Sequence, residues 1–259
     1  MNIPVMFSSL ALIAGIALSN CSSIKVDNMT ISNGKESDAS VKKTVEIGNF
    51  NRIEASQAIK VIYTQGPASG NASIATTPSA EKYLRIIVKN NTLRVYYDSS
   101  NMPKGGITGP SIITVTGPML NEVDLSSAAS FDVAGDLNQT GKLDIEASSA
   151  SKFTAGKITC SSIDIETSSA AKVNIDAVNA DMDVETSSAS SVSISAIKAN
   201  KISLEASSAS KINVDGIVSN NLNAEASSTA KINLSGKTKN FIKDQSSAAK
   251  INHSNLRVD

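Results

Sequence analysis

The sequence predicts an all-β fold, a solenoid of about seven rungs of ~20 residues each with an antiparallel β cap at its N-terminal end. Three observations carry that expectation. A Ser-Ser-Ala triplet or a close variant begins at Ser126, Ser148, Ser168, Ser187, Ser207, Ser227 and Ser246, at spacings of 22, 20, 19, 20, 20 and 19 residues. Within each copy the apolar residues alternate: Met182, Val184, Thr186, Ser188, Ser190, Val192 and Ile194 share one parity, and Asp183, Glu185, Ser187, Ala189, Ser191 and Ser193 the other. A period of two belongs to strands, whose side chains point to opposite faces, and a helical period of 3.6 does not fit. Aromatic residues make up 3% and Trp is absent, so the core is thin and aliphatic, built from Ile, Val, Leu and Ala.

In chain order, residues 1–20 read as a signal peptide, because Val5 to Leu18 is an apolar stretch of 14 residues, short for a membrane span and right for a leader. Leu18-Ser19-Asn20-Cys21 resembles a lipobox, which makes Cys21 the acylated first residue of the mature chain; the other reading is an ordinary secretory leader with Cys21 free. Residues 22–43, polar and unpatterned, read as a flexible tether. Residues 44–117 lack the repeat and read as the β cap. Alternating runs at 44–47, 58–64, 71–77, 84–97 and 111–117 supply five or six strands, Asn90-Asn91 a tight hairpin turn, and Pro78 the start of a short helical turn.

Residues 118–259 form the repeats. About 20 residues at ~3.3 Å each give a closed coil of ~66 Å perimeter, and rungs stacked at ~4.8 Å let every strand pair with its copies above and below. Parity sends the second serine of each triplet inward, giving a structural column of Ser149, Ser169, Ser188, Ser208, Ser228 and Ser247 at a tight corner. The last copy puts Lys243 and Gln245 where apolar residues stood before, and with His253, Asn255 and Arg257 they suit a terminal rung that must not stack on another molecule.

The chemistry that composition allows is narrow. Lys plus Arg and Asp plus Glu both number 24, so nothing steers the chain to nucleic acid. Stacking would align Glu146, Glu166, Glu185, Glu205 and Glu225 into an outward ladder beside Asp144, Asp164 and Asp183, able in principle to hold Ca²⁺. The competing account is a solvated face, compensated by Lys152, Lys172, Lys211, Lys231 and Lys250 across the corner. Arg occurs only at 52, 85, 94 and 257 and His only at 253, the rungs carry no insertions, and seven copies of one serine are no nucleophile, so no catalytic residue and no cofactor are expected. Cys160 reads as a small core residue, and with Cys21 in a processed segment no disulfide is expected. A carbohydrate-active β-helix enzyme remains the alternative, as does a cation-binding solenoid or one that self-associates through its outward Ser/Ala row.

NFNRIEASQAIKVIYTQG (49–66) and EVDLSSAASFDVAG (122–135) resemble the opening strands and first repeat of the putative auto-transporter adhesin head domain (head GIN domain) family, common among Bacteroidetes envelope lipoproteins. The resemblance runs from about Val45 to Ile251 and implies a right-handed parallel β-helix in a secreted or lipid-anchored protein of the cell envelope or outer membrane. It brings no catalytic residues. Its partners would be the membrane, through the anchor, and a surface glycan or protein ligand.

Overall fold

The structure is a computed structural model that describes residues 24–26, 29–32, 40–103 and 106–259. Residues 1–20, expected as a leader, and Cys21 lie outside those residues. The body is a three-faced β-solenoid whose rungs are parallel and in register. On the first face Glu122–Leu125, Lys142–Ala147 and Lys201–Ala206 stack with the ends of longer strands, and on the second Ser130–Val133 and Ser191–Ile194 do the same. Leu137, Ile158, Val178, Ile197 and Ile217 line up on the third. Lys152–Thr167 and Lys211–Ala226 run through all three faces from one Ser-Ser-Ala corner to the next.

Register explains the core. Identical positions lie one above another, so Phe131, Phe153, Val173, Val192, Ile212, Ile232 and Ile251 form one unbroken apolar column. At its head the rings of Phe131 and Phe153 stack at 5.5 Å, with Tyr63 6.2 Å above Phe131. Burial pushes the Tyr63 phenol up to about 12, and its hydroxyl donates to the Gly117 carbonyl at 2.7 Å. Gly236, at φ +123, is needed where the chain passes close to Ile217, since a Cβ there would lie 2.3 Å from the Ile217 nitrogen.

The N-terminal region is mixed, because it is part of the stack as well as its lid. Arg52–Ala55 and Lys60–Gln65 lie parallel on Glu122–Leu125 and Ser130–Val133 and make one more rung. Above it Thr92–Tyr97 and Ser111–Gly117 continue both faces in parallel. Only then do antiparallel strands close the end, Leu84–Lys89 on one face and Asn71–Thr76 with Val41–Glu46 on the other. Asn90 and Asn91 form the expected hairpin turn, both at positive φ, and Thr77 caps the four-residue helix Pro78–Glu81. Where the third face lacks a strand, side chains replace it. Gln65 exchanges two bonds of 2.7 Å with the backbone of Asn138, and Gln139 bonds both backbone groups of Leu120. Two short strands, Ile24–Val26 and Met29–Ser32, fall within the span expected as a tether; they pair with each other, and the second also pairs with Ile107–Thr108.

At the other end Lys243 and Gln245 take the register positions of Ala224 and Ala226, as expected of a terminal rung. Lys243 Nζ lies 3.0 Å from His253 Nε2, whose ring sits 5.3 Å from Phe241.

Candidate functional site

Each Ser-Ser-Ala corner is a two-residue turn of left-handed residues. Ser149 and Ala150 have φ of 52° and 63°, and the pattern repeats at Ser127-Ala128, Ser169-Ala170, Ser188-Ala189, Ser208-Ala209, Ser228-Thr229 and Ser247-Ala248. The Ser151 amide closes the turn on the Ser148 carbonyl at 3.1 Å, and the Ala150 amide donates to Ser169 of the next rung at 2.9 Å. This geometry corrects the inward column. Ser149, Ser169, Ser188, Ser208, Ser228 and Ser247 are exposed, because the pair of positive φ values swings the turn tip away from the axis. Strand parity carries no such term. The inward hydroxyls belong two residues later: Ser151, Ser190 and Ser210 are buried. Ser190 Oγ lies 2.9 Å from Thr167 Oγ1 and 3.0 Å from the Thr167 carbonyl, and Ser210 repeats this with Thr186, so these buried hydroxyls are satisfied between rungs.

Beside the corners runs a groove of about 380 Å³ floored by Ala147, Thr167, Thr186, Ala206 and Ala226. One wall is the first-serine row, including Ser148, Ser187 and Ser227; the other is the carboxylate column. Glu146, Glu166, Glu185, Glu205 and Glu225 are brought into one register, as expected, and the column extends to Asp244 below and to Asp124 and Glu54 above. Burial first, then the charge of Glu185, Glu225 and Asp183, holds the Glu205 carboxyl above the usual range. Glu146 and Asp124 are raised in the same way, by burial and then by neighbouring carboxylates.

The expected lysine compensation is not made. Among the described residues, none of Lys152, Lys172, Lys211, Lys231 and Lys250 lies within ion-pair distance of this column. The corner separates the two columns, and apart from Arg94, which meets Glu54 at the head of the carboxylate column, the cations nearby pair with other carboxylates. Lys142 bridges Asp144 at 2.8 Å and Asp164 at 2.7 Å, which raises its own pKa, and Lys60 pairs with Asp132 at 2.9 Å. Arg94 holds Glu54 through two nitrogens, at 2.9 and 3.0 Å. The five glutamates form a line, and among the described residues no three of His, Cys, Asp and Glu converge in a way that could hold a metal ion. Cys160 is buried, its Sγ donates to the Ser162 carbonyl at 3.3 Å, and burial pushes the thiol up to about 11.

One corner escaped the sequence reading. Gln57 and Ala58 have φ of 61° and 60° and form an eighth left-handed pair in line with the others. The signal was present: RIEASQAIK (52–60) follows DIEASSASK (144–152), with Gln in place of the second serine. The same alignment identifies Glu54 as a member of the carboxylate column.

Comparison with known proteins agrees with this architecture. No curated protein matches the chain. Solved structures do: a putative adhesin from Bacteroides fragilis (TM-score 0.68, 20% identity, 82% of this chain and 95% of that one) and a putative adhesin from Parabacteroides merdae (0.62, 18%, 86% and 98%). A protein from Parabacteroides distasonis described as a putative lipid binding protein also matches (0.68, 12%, 82% and 95%). At these identities the likeness establishes the fold. The family model for the putative auto-transporter adhesin, head GIN domain, matches twice, over residues 49–214 and 183–259, the second match falling again on the repeats. The chain therefore belongs to the head GIN domain family of putative auto-transporter adhesins.

Proposed function

We propose that the protein is a non-enzymatic, adhesin-like lipoprotein of the cell envelope, held at the outer membrane by acylated Cys21, with the solenoid serving as a rigid contact surface. The observation that carries this reading is the unbroken stack. From Glu122 to Val258 the rungs follow one another in register, so contact surfaces are long columns of repeated side chains instead of loops around a cleft. Such a body suits binding over a broad face, and the family's description as adhesin supports it. The apolar run Val5 to Leu18 followed by Cys21 supports the anchor, since more than one acyl chain is needed for stable membrane attachment.

Two measurements test it. Radiolabelled palmitate is expected in the wild type and not in Cys21→Ala, with the variant released from the membrane fraction; a labelled, membrane-bound Cys21→Ala removes the anchor. Beads coated with the full chain are expected to attach to mucin-coated surfaces above albumin-coated beads, and equal attachment removes the adhesive role.

A further inference from the structure

At the N-terminal end the acidic groove opens, past Asp124, into a wider chamber of about 590 Å³. Its lining differs from that of the groove. One wall is the outer surface of the hairpin Leu84–Lys89 and Thr92–Tyr97, where Ile87 and Tyr96 stand on either side of Arg94 and outside the hydrophobic core. Ile87 is 41% exposed. Opposite lie the first two corners, with Ser56, Gln57, Ser126 and Ser127. Gln57 is held in place because its Oε1 accepts the Tyr97 amide at 2.6 Å. Its amide nitrogen, the three serine hydroxyls and the Asp124 carboxylate make no side-chain hydrogen bond or ion pair among the described residues.

We propose that this chamber binds a neutral sugar, a hexose or N-acetylhexosamine, as the terminal ring of an oligosaccharide, with the ring face on Tyr96 and Ile87 and its hydroxyls on Gln57, Ser126 and Asp124. The proposal rests on the adhesive reading above and names its ligand class. An aromatic and aliphatic wall facing free donors and acceptors fits a molecule that is apolar on its face and hydroxylated at its rim, which describes a pyranose. Charge narrows the class. The Glu54 carboxylate is neutralised by Arg94, but Asp124 is not paired and continues into the carboxylate column, so acidic sugars are disfavoured. A peptide adding as a strand would use the edge of Leu84–Lys89 that pairs with no strand among the described residues, and not the Tyr96 wall, since Thr92–Tyr97 is paired on both edges, with Leu84–Lys89 and with Arg52–Ala55. Further sugar units would follow the groove along Ser148 and Ser168.

The test is a glycan array carrying neutral oligosaccharides ending in glucose, galactose, mannose or N-acetylhexosamine, probed with the fluorescent full chain. The wild type is expected to retain at least one group. Tyr96→Ala is expected to weaken that binding ~10-fold, as loss of a stacking anchor does, while Tyr96→Phe retains it. Ile87→Ser, at a position 41% exposed and outside the hydrophobic core, is expected to weaken it as well, with a circular dichroism melt confirming that the variant is folded. No retention of any neutral glycan, or equal retention by wild type, Tyr96→Ala and Ile87→Ser, overturns the proposal. Bead attachment separates it from the parent reading. Wild-type and Tyr96→Ala beads attaching equally to mucin leaves adhesion standing and removes the chamber as its site, whereas failure of both removes adhesion itself.

Discussion

Inside and outside the solenoid, the same stacking rule has opposite consequences. Parallel register places each residue over its own kind, so within the core Phe131 lies on Phe153 and Val192 on Ile212, and like on like is favourable because each ring or methyl finds apolar neighbours above and below. On the outside the rule puts Glu185 on Glu205 on Glu225, and like on like is then repulsive. A ladder of hydroxyls lies between these cases: Ser190 and Thr167 can each donate and accept, so repetition satisfies both. A repeat protein therefore gains core stability by copying one rung and accumulates surface charge by the same copying.

The sharpest way to break this contrast is to move a charge from one side of the corner to the other. Ser190 is 2% exposed and Ser188 lies at the turn tip. Ser190→Arg must bury a guanidinium among Thr167, Val192 and the adjacent rungs, and is expected to abolish folding or cost more than ~4 kcal/mol. Ser188→Arg is expected to stay within ~1 kcal/mol. Circular dichroism melts of the two variants check this, and equal melting temperatures would refute the inward and outward assignment. Next in size, Phe153→Ala removes the ring at the lower end of the aromatic stack, 1% exposed, and is expected to cost ~3–5 kcal/mol in urea unfolding.

The outer column can be relieved by pH or by substitution. Glu205, Glu146 and Asp124 bind their protons more tightly in the folded chain than in the unfolded one, through burial and then through neighbouring carboxylates. The folded state thus takes up more protons as pH falls through these raised values, and stability rises until the unfolded chain is protonated as well. Asp98 and Asp259 have the opposite sign, held low by the hydrogen bonds of Ser100 and Arg257, and their contribution is lost only at lower pH. The melting temperature is expected to be higher near pH 5 than at pH 7, and to rise with salt at pH 7, where screening weakens the repulsion. Glu205→Gln is expected to stabilise at pH 7 on the ~0.5 kcal/mol scale of exposed charge pairs and to flatten the pH response. A melting temperature that falls from pH 7 to pH 5 would show that the column is neutralised by something else.

The stack itself was legible in the sequence, because period and parity are both direct consequences of strand geometry. The strands, the carboxylate column and the polar last rung followed from them. What parity could not supply was the corner, where two left-handed residues interrupt the alternation and turn Ser149 and Ser188 outward while Ser151 and Ser190 stay in. Pattern matching on Ser-Ser-Ala likewise missed the rung at Gln57, since the turn needs a pair of positive φ values and not a serine. The chamber beside Tyr96 was out of reach for a different reason: the hairpin that carries Ile87 and Tyr96 is distant in sequence from Gln57 and Asp124, and only the pairing of that hairpin onto Arg52–Ala55 brings them to one cleft.

The smallest expected effect concerns those corners. Non-glycine residues at positive φ are strained, and Asn is the side chain that tolerates that region best. The molecule contains its own comparison, because Asn90-Asn91 adopts φ of 50° and 60° in the hairpin while Ser208-Ala209 adopts 54° and 62° in the stack. Serine at the corners is therefore a compromise: its backbone preference is poorer, but its short side chain leaves room for the next corner ~4.8 Å away. Ser208→Asn is expected to stabilise by a few tenths of a kcal/mol, read as a higher urea midpoint with an unchanged slope. A loss instead would mean that crowding between stacked corners outweighs the relief of backbone strain, and would explain why the hairpin uses asparagine where the stack uses serine.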